Sequence, residues 1–235
     1  MTWYGILCMS SQYYQLCLLN LRKVAYAFCV YLSIKFAVNL FVYEERYFMQ
    51  GHPLIDLYVS VGNDREDSRI EQMLAGVNID DIVLGTLEGA GIHQPVVLTL
   101  LVTDENGIRD MNKQYREQDK PTDVLSFPLL DKPLVEAPAD QLWTPQPTEE
   151  GQQLPDFVTP PGMVMNLGDI IMSWPTIVRQ AAEAGHDPLV EMLYLLAHGV
   201  LHLVGYDDHT EAGYQAMVNI QLAVLHRFGY RAPEK

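Results

Sequence analysis

Residues 198–208 read His-Gly-Val-Leu-His-Leu-Val-Gly-Tyr-Asp-Asp, and His209 follows. No other stretch constrains the chain as much. Side chains four apart on an α-helix sit one turn apart on one face, so His198 and His202 present two imidazoles to one point. Gly205 is the residue type that ends a helix and reverses the chain. A third donor, Asp208 or His209, then follows within reach. The pattern His-x-x-x-His-x-x-Gly-x-x-[Asp/His] predicts a catalytic metal site with three protein ligands and one open position. Two imidazoles with a third N or O ligand favour one Zn2+ ion. A lone histidine on an apolar helix is ordinarily a hydrogen-bonded core residue. Two at this spacing, followed by a glycine and an acid, are poorly explained that way.

In zinc proteases the residue after the first His is Glu, the general base for peptide hydrolysis. Here it is Gly199, which accepts no proton. Peptidase chemistry by that route is disfavoured, while metal-assisted hydrolysis of another bond stays open.

The chain has 235 residues, 49% of them hydrophobic and 19% charged, with a net charge of −15. This suits one domain of about 150–200 residues plus extensions. The acidic balance argues against a generic nucleic-acid coat protein, which would be basic, but leaves room for RNA bound at a local basic patch. The three cysteines, Cys8, Cys17 and Cys29, all lie near the N-terminus. The body therefore has no disulfide framework and offers a metal only His, Asp or Glu, which fits a reducing cytoplasm.

Residues 1–48 form a hydrophobic extension with three open readings. The run after Arg22 and Lys23 has the length and apolarity of a membrane anchor. A signal peptide is a second reading, although the charges come late and no small-residue cleavage site is evident. The third is that translation starts at Met49, because an ordinary globular pattern begins abruptly at Leu54. The main domain is taken as 49–235.

Within it, Leu54 to Ser60 has strand composition. Residues 66–91 are helical in part, with Ile79, Ile82, Val83 and Leu87 apolar. Pro95 to Val102 is a buried strand, and Thr103 is placed to cap the helix that follows, with Ile108, Met111, Asn112 and Tyr115 on its inner side. Asp123 to Phe127 is a short strand closed by Pro128. Residues 131–162 hold seven of the fourteen prolines and a net charge of −5. This insert reads as a solvated, mobile loop. Met163 to Met172 returns to strand character. Ser173 or Trp174 opens a helix, Asp187-Pro188 opens the metal helix, which runs to about Leu203 with Leu189, Met192, Leu193, Leu196 and Val200 as its apolar stripe, and Glu211 to Phe228 forms the last one.

Four segments together are similar to the YbeY family of endoribonucleases: Asn112-x-x-Tyr115-Arg116-x-x-Asp119, Lys120-Pro-Thr-Asp-Val-Leu-Ser-Phe-Pro128, Leu167-Gly-Asp-Ile170, and His198-Gly-x-Leu-His-Leu-x-Gly-Tyr-Asp207. The resemblance implies a zinc-like metal and cleavage of single-stranded RNA rather than DNA. It further implies maturation of ribosomal RNA, including the 3′ end of the small-subunit RNA, and ribosome quality control with the ribosome or its proteins as partners. One departure stands out. The family has a His where this chain has Asp208, and His209 comes one place later. The family also commonly has Met nine residues after that ligand. Met217 is nine after Asp208, which favours Asp208 as the third ligand with His209 as the alternative.

Arg109, Lys113, Arg116 and Lys120 have the spacing of one basic helical stripe. For Arg109 and Lys113 a solvated face explains it. Arg116 is set apart because the family's Tyr-Arg pair falls on it. Its planar guanidinium holds two phosphate oxygens at once, and beside a metal it would offset transition-state charge as the catalytic residue. Asp123 and Ser126 are candidates for orienting substrate or water, or simply members of a capped strand. Asp169 is structural or close to the pocket. Asp207 is a candidate to hydrogen-bond a metal-binding imidazole. His226, His186, His93 and His52 have no spacing partner and read as incidental.

The expected fold is α+β: a small mixed β-sheet with packed helices, a zincin-like metal helix beside it, and the Arg116 helix across a cleft. The expected function is a metal-dependent endoribonuclease. A non-catalytic ribosome assembly factor with a structural metal is a second class, and a metallohydrolase of a non-RNA substrate is a third.

Overall fold

The computed structural model describes residues 54–144 and 164–231. The readings made for residues 1–48, and those for 145–163, lie outside the described residues. Four strands, β1 (Leu54–Ser60), β2 (Val96–Thr103), β3 (Val124–Pro128) and β4 (Met165–Ser173), form one sheet in the order β1-β2-β4-β3. β1, β2 and β4 run parallel, and β3 is the antiparallel edge. The six described helices are α1 (Asp64–Ala75), α2 (Ile79–Gly89), α3 (Glu105–Arg116), α4 (Trp174–Ala184), α5 (Pro188–Val204) and α6 (Glu211–Arg227). The architecture is α+β with a small mixed sheet.

Parallel pairing requires a crossover between β1 and β2, and α1 and α2 supply it. Gly168 sits where β4 meets the end of β3, at φ 121°, and a Cβ there would come within 2.1 Å of the Phe127 carbonyl oxygen. Only glycine lets the antiparallel edge pair this closely.

Neighbouring residues of a strand point to opposite faces, and the two faces are covered differently. Leu98, Leu100, Val102, Ile170 and Met172 join the main core, together with most of α5. Leu101, Leu125 and Ile171, with Ile108 of α3, are also buried but lie outside that cluster. Gly199 of α5 packs on Ile170. Tyr115 of α3 packs edge-on against Phe127, the register partner of Asp169, with ring centroids 5.2 Å apart. The metal helix and the Arg116 helix therefore flank the β3 edge from opposite faces.

Two local expectations need correction. The cap of α3 is Asp104, whose Oδ1 accepts from the Gly107 N–H at 2.7 Å; Thr103 is the last residue of β2. The apolar stripe expected on the metal helix is only part of its surface, since Leu195, Ala197, Leu201, Leu203 and Val204 are buried as well. Packing against α2, α4, α6, β3 and β4 leaves α5 almost no solvated side.

The described part of the insert, residues 131–144, keeps many exposed side chains but is tied down through its backbone. The last carbonyls of a helix lack partners within it, and this segment supplies them. Leu134 N–H donates to the Val204 carbonyl at 2.8 Å, Trp143 N–H to Gly205 at 3.0 Å, and Trp143 Nε1–H to His202 at 3.2 Å. Leu142 pairs with Tyr206, and Asp207 N–H donates to the Gln141 carbonyl at 2.9 Å. Proline-rich composition hides this, because what holds the segment is backbone hydrogen bonding to a distant helix end.

No single described helix is long and apolar enough to cross a membrane. The bent pair α4 and α5, at 114°, passes by length and composition, but α5 is the centre of the core.

Candidate metal centre

The last two turns of α5 and the turn after it build the site. Gly205 ends the helix at φ 129°, a conformation that side chains rarely adopt, and a Cβ there would meet Pro133 at 2.6 Å. This reversal returns Asp208 toward the helix. Gly213 lets the start of α6 close on the same turn, since a Cβ would lie 1.9 Å from the Asp207 carbonyl oxygen.

His198 Nε2 and His202 Nε2 face each other at 3.0 Å, with the rings perpendicular. Asp208 Oδ2 lies 3.8 Å from His198 Nε2, and Oδ1 lies 3.9 Å from His202 Nε2. A tetrahedral ion with bonds of about 2.0–2.1 Å needs ligand atoms roughly 3.3 Å apart, so these three donors fit one such ion. The proton positions agree. His202 Nδ1 is 3.0 Å from the Tyr206 carbonyl oxygen, which only accepts, so Nδ1 carries the proton and Nε2 is a bare lone pair. Burial, with help from the neighbouring His202, pushes His198 down to about 4. Burial also lowers His202, against the pull of Asp208. Both rings are thus held neutral, the state in which imidazole ligates a metal.

His209 is 86% exposed and its Nδ1 is paired with Asp207 Oδ1, which also accepts the His209 N–H at 3.1 Å. Asp207 therefore serves His209, and the imidazole hydrogen bond considered for it is made for His202 by the Tyr206 carbonyl instead. Asp207, Asp208 and His209 are close enough to form a second donor group, but an exposed one.

Arg116 is the last residue of α3 and is exposed. Its charge lies near enough to His202 to disfavour protonation there. The basic stripe does not survive as such. Asp119 takes Arg109 at 2.6 Å and Lys113 at 2.7 Å, and Lys120 lies past the helix end, its carbonyl held by Asn112 Nδ2 at 2.8 Å. Among the described residues Arg116 makes no ion pair.

Asp123 is half-buried, and its carboxyl accepts from Gln180 Nε2 at 3.0 Å and from the Val124 N–H at 2.8 Å. Burial alone would raise it; these hydrogen bonds and that of Thr122 hold it below the usual value. It acts electrostatically on His198. Ser126 Oγ is buried without a hydrogen-bond partner, on the face of β3 that α5 covers. Asp169 sits on the opposite face, beside Tyr115. His186, read as incidental, pairs at 2.6 Å with Glu191, whose side chain is 1% exposed. No spacing rule links those two. Trp143 also escaped sequence reasoning, because it reaches the His202 carbonyl from 59 residues away, through the fold.

The model of the family described as Endoribonuclease YbeY matches residues 60–229. The chain belongs to the YbeY family. A protein named Endoribonuclease YbeY from Desulforamulus reducens is 37% identical over 73% of this chain and 97% of its own length. The YbeY protein of Moorella thermoacetica is 38% identical over 73% of this chain and 97% of its own. That of Dehalococcoides mccartyi is 35% identical over 66% and 89%. Among solved structures, the solution structure of a Thermotoga maritima protein covers 74% of this chain and 91% of its own, at 20% identity and a TM-score of 0.38.

Proposed function

We propose that this chain is a metal-dependent endoribonuclease of single-stranded ribosomal RNA, acting in small-subunit 3′-end maturation and ribosome quality control. YbeY membership supports the reaction class. The observation that carries the site is the closed triangle of His198, His202 and Asp208 donors, with the charge of Arg116 felt at His202. One Zn2+ ion is the cofactor the donor set favours; when bound it acts as a Lewis acid on a phosphoryl oxygen.

The chain's own groups do the rest. His198 and His202 stay neutral at physiological pH because they are buried. The Trp143 indole and the backbone of residues 134–143 hold the helix end that carries His202 and the turn that carries Asp208. Arg116 grips two oxygens of the scissile phosphate, and its guanidinium opposes the charge that builds during cleavage. Gly199 leaves no carboxylate to serve as a peptidase base, which speaks against an amide substrate.

The test is turnover. Full-length protein cuts labelled single-stranded RNA many times per molecule, chelator abolishes this, and Zn2+ restores it. Stoichiometric metal without any cleavage would make the chain an assembly factor braced by its metal. Product ends identify the attacking group: 2′,3′-cyclic phosphates point to the ribose 2′-hydroxyl, and their absence to water.

A further inference from the structure

β3 is the outer strand of the sheet, and no described strand lies beyond it. Its ladder with β4 fixes which main-chain groups face outward. At one end the Ser173 N–H donates to the Asp123 carbonyl at 2.8 Å, and at the other the Leu129 N–H donates to the Leu167 carbonyl at 3.0 Å. Residues of an antiparallel strand alternate between turning both groups to the partner and turning both away. Asp123, Leu125, Phe127 and Leu129 therefore face β4, while Val124, Ser126 and Pro128 present theirs to the open side. The Val124 N–H is already held by Asp123 Oδ1 at 2.8 Å, and proline has none. The open edge is thus a row of carbonyl oxygens with one donor, the Ser126 N–H, in its middle.

This edge runs between the two halves of the site. Gly199, next to His198, packs on Ile170, the register partner of Ser126. On the other face Tyr115, next to Arg116, packs on Phe127. A peptide strand is a poor occupant, because a short edge closed by a proline at one end and an acid at the other is guarded against strand pairing. A row of acceptors calls instead for a ligand rich in hydroxyl donors, and the lone N–H calls for an anion. A ribonucleotide strand brings both, one 2′-hydroxyl and one phosphate in every repeat. Outward carbonyls recur every second residue, about 7 Å apart, close to the repeat of an extended nucleotide strand. We propose that the outer edge of β3 is the docking strip for single-stranded RNA: the Ser126 N–H donates to a phosphate oxygen, and the Val124 and Ser126 carbonyls accept 2′-hydroxyls of the adjoining riboses. The Asp123 carboxylate repels phosphate from the Val124 end and leaves Ser126 as its seat. The Ser126 hydroxyl takes no part, since its Oγ is buried on the α5 side. DNA offers the phosphate without the hydroxyls, so the strip tells the two apart.

This inference rests on the RNA reading above, and the experiment separates the two. Affinity of the full-length protein for a short fluorescent single-stranded RNA is measured by anisotropy for wild type, Ser126→Pro and Ser126→Ala, with chelator present so that the strand binds without being cut. Both variants lose the hydroxyl, but only the proline loses the N–H, and an edge strand tolerates proline where its N–H lies outside the ladder. Ser126→Pro is expected to bind RNA about 10–100-fold more weakly than Ser126→Ala. Wild type is expected to bind a 2′-fluoro strand, whose sugars donate nothing, about 2–10-fold more weakly than RNA. Equal affinity of the two variants overturns the proposal, and so does a 2′-fluoro strand bound as tightly as RNA. Should Ser126→Pro fail to fold, exchange of the Ser126 amide hydrogen in wild type decides. Slowing on addition of RNA supports the docking strip; an unchanged rate overturns it, and slowing by an extended peptide instead would assign the edge to a protein strand. A wild type with no affinity for single-stranded RNA overturns the RNA reading itself, whereas RNA bound equally by both variants overturns this inference alone.

Discussion

Gly199 and Ile170 approach so closely that no side chain fits between them: a Cβ at 199 would lie 2.9 Å from Ile170 Cδ1 and 3.0 Å from its Cγ2. This contact seats the metal helix on β4 and sets how far His198, one residue earlier, stands from the β3 edge. It also gives the missing carboxylate a steric reason. A zinc-protease glutamate at 199 would have to enter the sheet.

The contact makes Gly199→Ala a test of helix seating. Alanine gains about 1 kcal/mol of helix propensity over glycine, while overpacking a tight core costs about 1–3 kcal/mol. A net destabilisation on the order of 1 kcal/mol is expected by urea unfolding. Adding Ile170→Val, which removes the Cδ1 atom, should recover part of it. A Gly199→Ala protein more stable than wild type would show that the helix has room to shift.

Arg116→Lys separates charge from shape. Lysine keeps the positive charge but loses the planar fork that holds two phosphate oxygens. Arg109 and Lys113 are both tied to Asp119, so neither stands ready to substitute. The RNA cleavage rate is expected to fall on the order of 10²-fold at unchanged metal content. Cleavage at the wild-type rate would remove the bidentate role.

What could be read in advance followed how local each signal was. β1, β2 and α6 are continuous patterns in sequence, so their composition and periodicity were enough. The candidate metal donors His198, His202 and Asp208 fall within eleven residues on one helix and the turn after it, so their closeness in space follows from their closeness in sequence. Trp143 is 59 residues from the His202 carbonyl it caps, and Gln221 is 27 from the Tyr194 carbonyl. A pattern search along the chain carries no information about either. In the stripe of Arg109, Lys113, Arg116 and Lys120, the first two read as a solvated face, and both are tied to Asp119 just beyond the helix end.

Asp169 offers a pH test away from the metal ligands. Burial raises its carboxyl above the usual 3.8, with the Thr99 hydroxyl pulling the other way. The folded state therefore holds the proton more tightly than the unfolded state. In the window between 3.8 and the raised value the folded protein binds more protons, so stability falls as pH rises through it. The cost is fully present above that window and absent below it. Asp169→Asn should therefore raise the urea midpoint at neutral pH, by an amount that shrinks toward zero as pH approaches 3.8. A wild type more stable than the Asn variant at pH 7 would mean that the ionised carboxylate serves the fold.

The turn after the metal helix brings Asp208, and not His209, toward the two imidazoles. Asp208 is 38% exposed and points its oxygens at both imidazoles, whereas His209 is 86% exposed and faces Asp207. Exchanging them would require unwinding the turn that Gly205 and the 134–143 segment hold in place. Asp208→Ala is expected to lower Zn2+ affinity at least about 100-fold, beyond what loss of an outer partner costs, and to abolish stoichiometric metal in the purified protein. His209→Ala should leave metal content and RNA cleavage near wild type, since its ring reaches neither imidazole. The reverse pattern, with metal lost from His209→Ala and kept by Asp208→Ala, would show that the turn rearranges when the ion binds and that the histidine one place later closes the site.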